Sequence, residues 1–147
     1  MRGRAKRCPI ERQAAADDEE ITMLDHIGFA VADYKRSKAF YEKALAPLGY
    51  TLLMEFAGAA AGFGTDDGGR PSFFIEAYGE PARGRLHIAL KAESRAHVDA
   101  FYAAAIAAGG TDNGAPGMRT VYHPDYYGGY VLDPDGNNLE AVCHRPG

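Results

Sequence analysis

The chain repeats itself. His26-Ile27 recurs as His87-Ile88, Ala39-Phe40-Tyr41 as Ala100-Phe101-Tyr102, Ala44 as Ala105, Ala46 as Ala107 and Gly49 as Gly110, all at a constant separation of 61 residues. Solenoid units repeat every 20–50 residues or so, and this period is longer. Two copies therefore read as one unit made twice, folded about a pseudo-two-fold axis. At 147 residues the chain holds one domain or two small halves that share a core.

Each copy opens with a strand pattern. In "LDHIGFAV" Ile27, Phe29 and Val31 share one face, and His26, Gly28 and Ala30 the other. In "RLHIALK" Leu86, Ile88 and Leu90 oppose His87, Ala89 and Lys91. A helix pattern follows in each: Phe40, Tyr41, Ala44, Leu45 and Leu48, then Val98, Phe101, Tyr102, Ala105 and Ile106. Asp33 and Ser94 are placed to cap these helices, and Gly49 and Gly109 to stop them. Three strand candidates come next in each half: "YTLLMEFA", "AAAGFGT" and "PSFFIEAY", then a segment within 111–122, "GGYVLD" and "NNLEAV". The turn residues of "DDGGRP" and "DPDGNN" divide them. The expected fold is α+β: two βαβββ modules, about 23–80 and 84–144, forming a curved eight-stranded mixed sheet with the helices on its convex face.

The composition excludes several classes. Hydrophobic residues make up 46% and charged residues 24%, as in an ordinary globular chain. A net charge of −4 offers no broad basic surface for nucleic acid. No apolar run approaches the ~18 residues of a membrane span. Two cysteines make no disulfide framework, so a reduced, cytoplasmic setting is expected. "GTDDGGRP" and "DNGAPG" lack the strand and helix that frame a phosphate loop. Residues 1–22 carry a basic block and then an acidic one, with almost nothing apolar and no signal-peptide core; they read as a disordered tail, with Met23 an alternative start.

The strand faces sort the polar residues. In "FFIEAY" Phe73, Ile75 and Ala77 are apolar, leaving Phe74, Glu76 and Tyr78 opposite; in "NLEAVC" Leu139, Ala141 and Cys143 leave Glu140 opposite. His26, Glu76, His87 and Glu140 therefore line the concave side, and "IEA" at 75–77 echoes "LEA" at 139–141. A lone strand histidine is usually structural and a lone glutamate usually solvated, but independent surface residues have no reason to recur in register. Two imidazoles with one or two carboxylates form a mixed nitrogen and oxygen site for Fe, Zn, Ni, Mn or Co as a divalent ion. Glu76 is either a ligand or a nearby base.

With "DHIGFAVADYKRSKAFYEKALAPLGY", "LHIAL" and "VLDPDGNNLEAV", the chain resembles the vicinal oxygen chelate superfamily, which includes glyoxalases, extradiol dioxygenases and bleomycin resistance proteins. The resemblance spans residues 23 to about 144. It implies a divalent metal held by His26, His87 and Glu140, with Glu76 at the extra carboxylate of glyoxalase-type sites, a small-molecule substrate with adjacent oxygens, and a homodimer. Modules in the superfamily pair within one chain or between two. "VYHPDYYGGYVLDPDGNNLE" resembles the extradiol signature, which puts His123 at the proton-moving histidine and Tyr130 at the oxyanion-binding tyrosine; Gly129 departs from the apolar residue expected there. Glutathione-specific members carry an arginine four residues after the first histidine, where this chain has Ala30.

The expected function is a metal-dependent lyase, isomerase or extradiol dioxygenase. Catalytic candidates are His123, Tyr130 and Glu76. Tyr122, Tyr127, Arg119 and Phe74 are candidates for the substrate wall, though the tyrosines also suit loop packing and Arg119 plain solvation. The alternatives are a drug-binding protein without catalysis and a true lactoylglutathione lyase. His97 and His144 read as surface residues.

Overall fold

The computed structural model describes residues 23–147. The tail expected over 1–22 lies outside them. The first module runs β1 (Ile27–Ala30), α1 (Tyr34–Leu45), a 3-10 turn (Ala46–Leu48), β2 (Thr51–Phe56), β3 (Ala60–Gly64) and β4 (Phe73–Glu76). The second runs β5 (His87–Lys91), α2 (Arg95–Ala107), β6 (Thr111–Met118), β7 (Tyr127–Leu132) and β8 (Asn138–Cys143). Both helices start where their caps predict. The Asp33 carboxylate accepts from Arg36 N at 3.0 Å, and the Ser94 hydroxyl from His97 N at 3.2 Å. Gly49 and Gly109 end the helical segments in left-handed conformations, at φ 83° and 103°.

The α+β class and the two βαβββ modules are as expected. The eight strands divide into two four-stranded sheets, ordered β1-β4-β3-β2 and β5-β8-β7-β6, each with one parallel pair and two antiparallel pairs. The parallel pair in each module brings its first strand beside its last, across the helical crossover.

One core serves both modules. The helix-facing residues Phe29, Val31, Phe73 and Ile75 of the first sheet are buried with Phe40, Tyr41 and Leu45 of α1. The rings of Phe29, Tyr41 and Phe73 meet edge-on or tilted, with centroids 5.0–6.1 Å apart. Val98, Phe101 and Ala105 of α2 cover Val131 and Leu139 in the same core. The two helices also pack on each other. Gly110 marks how closely the modules approach: a Cβ there would stand 2.4 Å from Val131 Cγ1 and 3.0 Å from Phe40 Cε2.

The "DPDGNN" turn fastens the modules together. Asp133 is 5% exposed, and its carboxylate accepts four hydrogen bonds. Asp135 N and Asn137 N bind Oδ1 at 2.9 Å; the Tyr41 hydroxyl, from the other module, and Asn137 Nδ2 bind Oδ2 at 2.5 and 3.2 Å. Asp135 Oδ2 then accepts from Ala32 N at 3.0 Å, just before α1. The turn that precedes Glu140 is therefore held by the first module as well as by its own strands.

Candidate functional site

The second sheet builds a site around Glu140. Its Cα stands opposite Ala89 on β5 and Tyr130 on β7, so its side chain shares the concave face with His87 and Tyr130. Glu140 is 1% exposed. A carboxylate is rarely buried to that degree without partners, and here both oxygens have one. Oε2 lies 2.8 Å from His87 Nε2, and the Tyr126 hydroxyl donates to Oε1. The Tyr130 hydroxyl joins the same cluster, in contact with Tyr126 and Glu140. A pocket of about 470 Å³ opens over these groups, lined by His87, Tyr122, Tyr126, Tyr130, Asn138 and Glu140.

Gly128 makes the cluster possible. A Cβ there would stand 3.1 Å from Tyr126 Cε1, 3.2 Å from Glu140 Oε1 and 3.4 Å from the Tyr130 oxygen. Burial, followed by the bond to Glu140, pushes the Tyr126 phenol far above its ordinary range; burial also leads in raising Tyr130. Both phenols stay protonated, as hydrogen-bond donors, at any physiological pH.

The first sheet places its histidine differently. His26 Nδ1 pairs with Asp25 Oδ1 at 2.7 Å, and this contact holds the Asp25 carboxyl below its usual range. The His26 ring meets Phe74 edge-on at 5.7 Å. The parallel registers explain why Phe74, and not Glu76, takes that place. Val31 N bonds Glu76 O, whereas Ala92 N, its counterpart 61 residues on, bonds Val142 O. In register, then, Glu76 corresponds to Val142 and Phe74 to Glu140. The two-residue offset keeps Glu76 on the concave face, exposed and opposite Ala30, about 7 Å further along the strand than Phe74.

The remaining expected residues fall into two groups. Tyr130 and Tyr122 line the pocket, and the Tyr122 ring lies 5.2 Å from that of Tyr126. His123 accepts from Asp125 N through Nδ1 at 3.1 Å and packs edge-on to His144 at 5.7 Å; His144 in turn meets Tyr126 at 5.1 Å. His123 is thus one ring removed from the Tyr126–Glu140 pair. Tyr127 stands opposite buried Cys143 on the helix-facing side, where its hydroxyl bonds Asp99 of α2 at 2.7 Å and Arg95 covers its ring at 5.4 Å. The Arg119 guanidinium donates to Ala115 O at 2.8 Å and Met118 O at 3.3 Å while lying 5.5 Å over the Tyr130 ring. It braces Tyr130 from behind. Gly129 departs from the extradiol signature because its position faces Pro116 and Val98, 3.2 and 3.4 Å from where a Cβ would be.

Sequence reasoning places Tyr126 in an aromatic cluster with Tyr122, Tyr127 and Tyr130 that suits a pocket wall or loop packing, but does not mark it as the partner of Glu140, and it does not mark Gly128 at all. The available signal was the spacing of Tyr126, Gly128 and Tyr130: alternate residues, one of them bare, at the mouth of a strand facing Glu140.

The residues fit a divalent metal. Two donors each about 2.1 Å from one ion and cis to each other stand ~3 Å apart, close to the 2.8 Å between His87 Nε2 and Glu140 Oε2. Among the described residues, however, no three His, Cys, Asp or Glu side chains converge. Within one chain, His87 and Glu140 are brought together and no third such side chain joins them among the described residues. Nor is any described helix long and apolar enough to cross a membrane.

The profile of the Glyoxalase/Bleomycin resistance protein/Dioxygenase superfamily matches residues 23–141. A glyoxalase/bleomycin resistance protein from Albidiferax ferrireducens T118 is 32% identical; the alignment covers 85% of this chain and all of that one, with a TM-score of 0.67. A glyoxalase/bleomycin resistance protein/dioxygenase family enzyme from Burkholderia phytofirmans PsJN shares the fold at 21% identity, over 80% of this chain and 95% of its own, with a TM-score of 0.61. So does a lactoylglutathione lyase from Agrobacterium tumefaciens, at 17% identity, 83% and 92% coverage and a TM-score of 0.59. No curated protein matches the chain. The profile match across nearly all the described residues, and the 32% identical relative, establish that the chain belongs to the glyoxalase/bleomycin resistance protein/dioxygenase superfamily.

Proposed function

We propose that the protein is a divalent-metal-dependent enzyme acting on a small substrate through two adjacent oxygens, as a lyase, isomerase or extradiol dioxygenase. The observation that carries this reading is the buried Glu140 carboxylate, 2.8 Å from His87 in a tyrosine-lined pocket. His87 Nε2 and Glu140 Oε2 would hold the ion, with His26 of the partner subunit as the third ligand. A bound ion supplies Lewis-acid polarisation of the substrate oxygens. Asp25 supports the assignment of His26, because a carboxylate on Nδ1 orients the ring and leaves Nε2 as the ligand atom. We assign Glu76 outside the ligand set, since Phe74 takes the place beside His26. On the same face, it is the proton acceptor for an enolising reaction.

Two observations support a homodimer. His26 is not grouped with His87 and Glu140 within one chain. Large apolar side chains are also exposed on both modules: Met54, Phe56 and Tyr78 on the first, Met118, Val121 and Tyr122 on the second. Tyr130 is the donor for a substrate oxyanion, its phenol kept protonated by burial. We assign His123 to proton exchange with solvent beside that cluster. At Ala30, buried at the end of β1, a methyl group stands where glutathione-specific members carry an arginine, and we assign a substrate other than a glutathione adduct.

A second reading is small-molecule binding without chemistry. It is favoured by the same tyrosine walls and by the incomplete ligand set of the single chain. A subunit-mixing experiment tests the first reading. His26→Ala and His87→Ala homodimers should each lose metal, whereas the mixed dimer should recover one intact site for every two chains. If mixing restores nothing, the shared site is wrong. Oxygen uptake with catechols under Fe²⁺ identifies the dioxygenase, and turnover of an α-hydroxy thioester the enolising reaction. Tight ligand binding with neither activity in the metal-loaded protein favours the second reading.

A further inference from the structure

We infer that Tyr126 is a positioning residue: its phenol holds Oε1 of Glu140, so that this carboxylate meets a divalent ion through Oε2 alone and a coordination position stays open for a second substrate oxygen. The inference rests on the metal reading above and adds to it a device that sets how many substrate atoms the ion can take.

Three features carry it. First, the two oxygens of Glu140 are divided between two partners, Oε1 to the Tyr126 hydroxyl and Oε2 to His87 Nε2. In a carboxylate so divided, Oε1 keeps only one lone pair outside the phenol bond, so its coordination to the same ion competes with the Tyr126 contact, whereas Oε2 faces His87. Second, Tyr126 is fixed from its own side. Its ring is flanked by Tyr122 at 5.2 Å and His144 at 5.1 Å, so its orientation does not depend on an ion being bound. Third, the chain leaves room for the contact. Gly128 is bare where a Cβ would stand 3.1 Å from the Tyr126 ring and 3.2 Å from Glu140 Oε1. Glu140 is 1% exposed, so water does not replace the phenol as the partner of Oε1.

The consequence follows from counting positions. An ion with about six coordination positions, holding two imidazole nitrogens and one carboxylate oxygen, keeps three for other ligands. Two adjacent substrate oxygens and one further small ligand fill them. With Glu140 free to bind through both oxygens, one of those positions is lost, and a two-oxygen substrate competes with the protein's own carboxylate.

The test uses Co²⁺-loaded full-length dimer and two probes, acetohydroxamate as a two-oxygen chelator and azide as a one-atom ligand. Tyr126→Phe keeps the ring and removes only the hydroxyl. It should alter the visible Co²⁺ absorption before any probe is added. It should weaken acetohydroxamate by about tenfold or more, while azide changes by less than roughly threefold. Gly128→Ala, which crowds the same contact from the other side, should shift both readouts in the same direction, and it decides the matter if Tyr126→Phe does not fold. Wild-type spectrum and wild-type probe preference in the folded variant would overturn the inference and leave the metal reading standing. A wild-type protein that takes up no Co²⁺ would overturn both.

Discussion

Replacing Asp133 with alanine should loosen the two modules from each other. The carboxylate accepts four hydrogen bonds, and two of the donor residues, Tyr41 at 1% and Asn137 at 2% exposure, remain buried when it is gone. A buried donor left without an acceptor costs about 1–3 kcal/mol. With the Tyr41 hydroxyl and two groups of Asn137 orphaned, and some water entering the vacated space, the expected loss is about 4 kcal/mol, within the range for breaking a buried charged network. For a domain of this size that lowers the thermal midpoint by roughly 12–20 °C. Tyr41→Phe removes only one of the four donors and should cost about 1 kcal/mol. In the double variant the hydroxyl is no longer orphaned, so the combined cost should fall short of the sum by about 1 kcal/mol or more. Urea unfolding of wild type, both single variants and the double variant measures all of this. A cost for Asp133→Ala below about 0.5 kcal/mol, as for an exposed loop residue, or strict additivity with Tyr41→Phe, would refute the cross-module network.

Three further outcomes follow from the structure. Ala57 sits at φ 48° in the β2–β3 turn, a conformation that strains an L side chain; Ala57→Gly should stabilise the protein by about 0.5–1 kcal/mol in the same unfolding assay. Burial, then Asp133, raises the Tyr41 pKa well above 10.0, so the neutral phenol stabilises the fold fully below pH 10 and that contribution falls as pH rises toward the folded-state value; the alkaline loss of stability should be shallower in Tyr41→Phe. Gly110→Val should destabilise strongly, by about 3 kcal/mol or more, because its side chain collides with Val131 and Phe40 where the modules meet; calorimetry reads this directly.

Much of this architecture is legible in the chain, for physical reasons that are local. Asp33 and Ser94 cap their helices because side-chain oxygens satisfy the first free N–H groups, which depends on nothing distant. Alternation along "FFIE" and "NLEA" separates buried Phe73, Ile75, Leu139 and Ala141 from Phe74 and Glu76, because a strand face is set by parity. Register is different. A two-residue shift preserves every face, so the echo of "IEA" by "LEA" could not reveal that β4 pairs with β1 two residues out of step with the second module. The unequal connections, 65–72 before β4 and 133–137 before β8, accompany that difference. Tyr127 shows how much one position matters. It pairs with Cys143 and faces α2, while Tyr126, one residue before the strand and in step with Gly128 and Tyr130, reaches Glu140. The division of the eight strands into two sheets is a property of how the modules pack, through Phe40, Val131 and Gly110, and no strand pattern encodes it.

The proposed chemistry depends on a divalent ion bound at His87 and Glu140. Elemental analysis of the purified protein, repeated after loading with Fe²⁺, Zn²⁺ or Ni²⁺ and removal of excess ion, tests it most directly. One tightly held ion per chain is expected in the wild type, retained in Glu76→Ala and lost in Glu140→Ala. A wild-type protein that holds no ion after loading, or an ion content unchanged by Glu140→Ala, would contradict it.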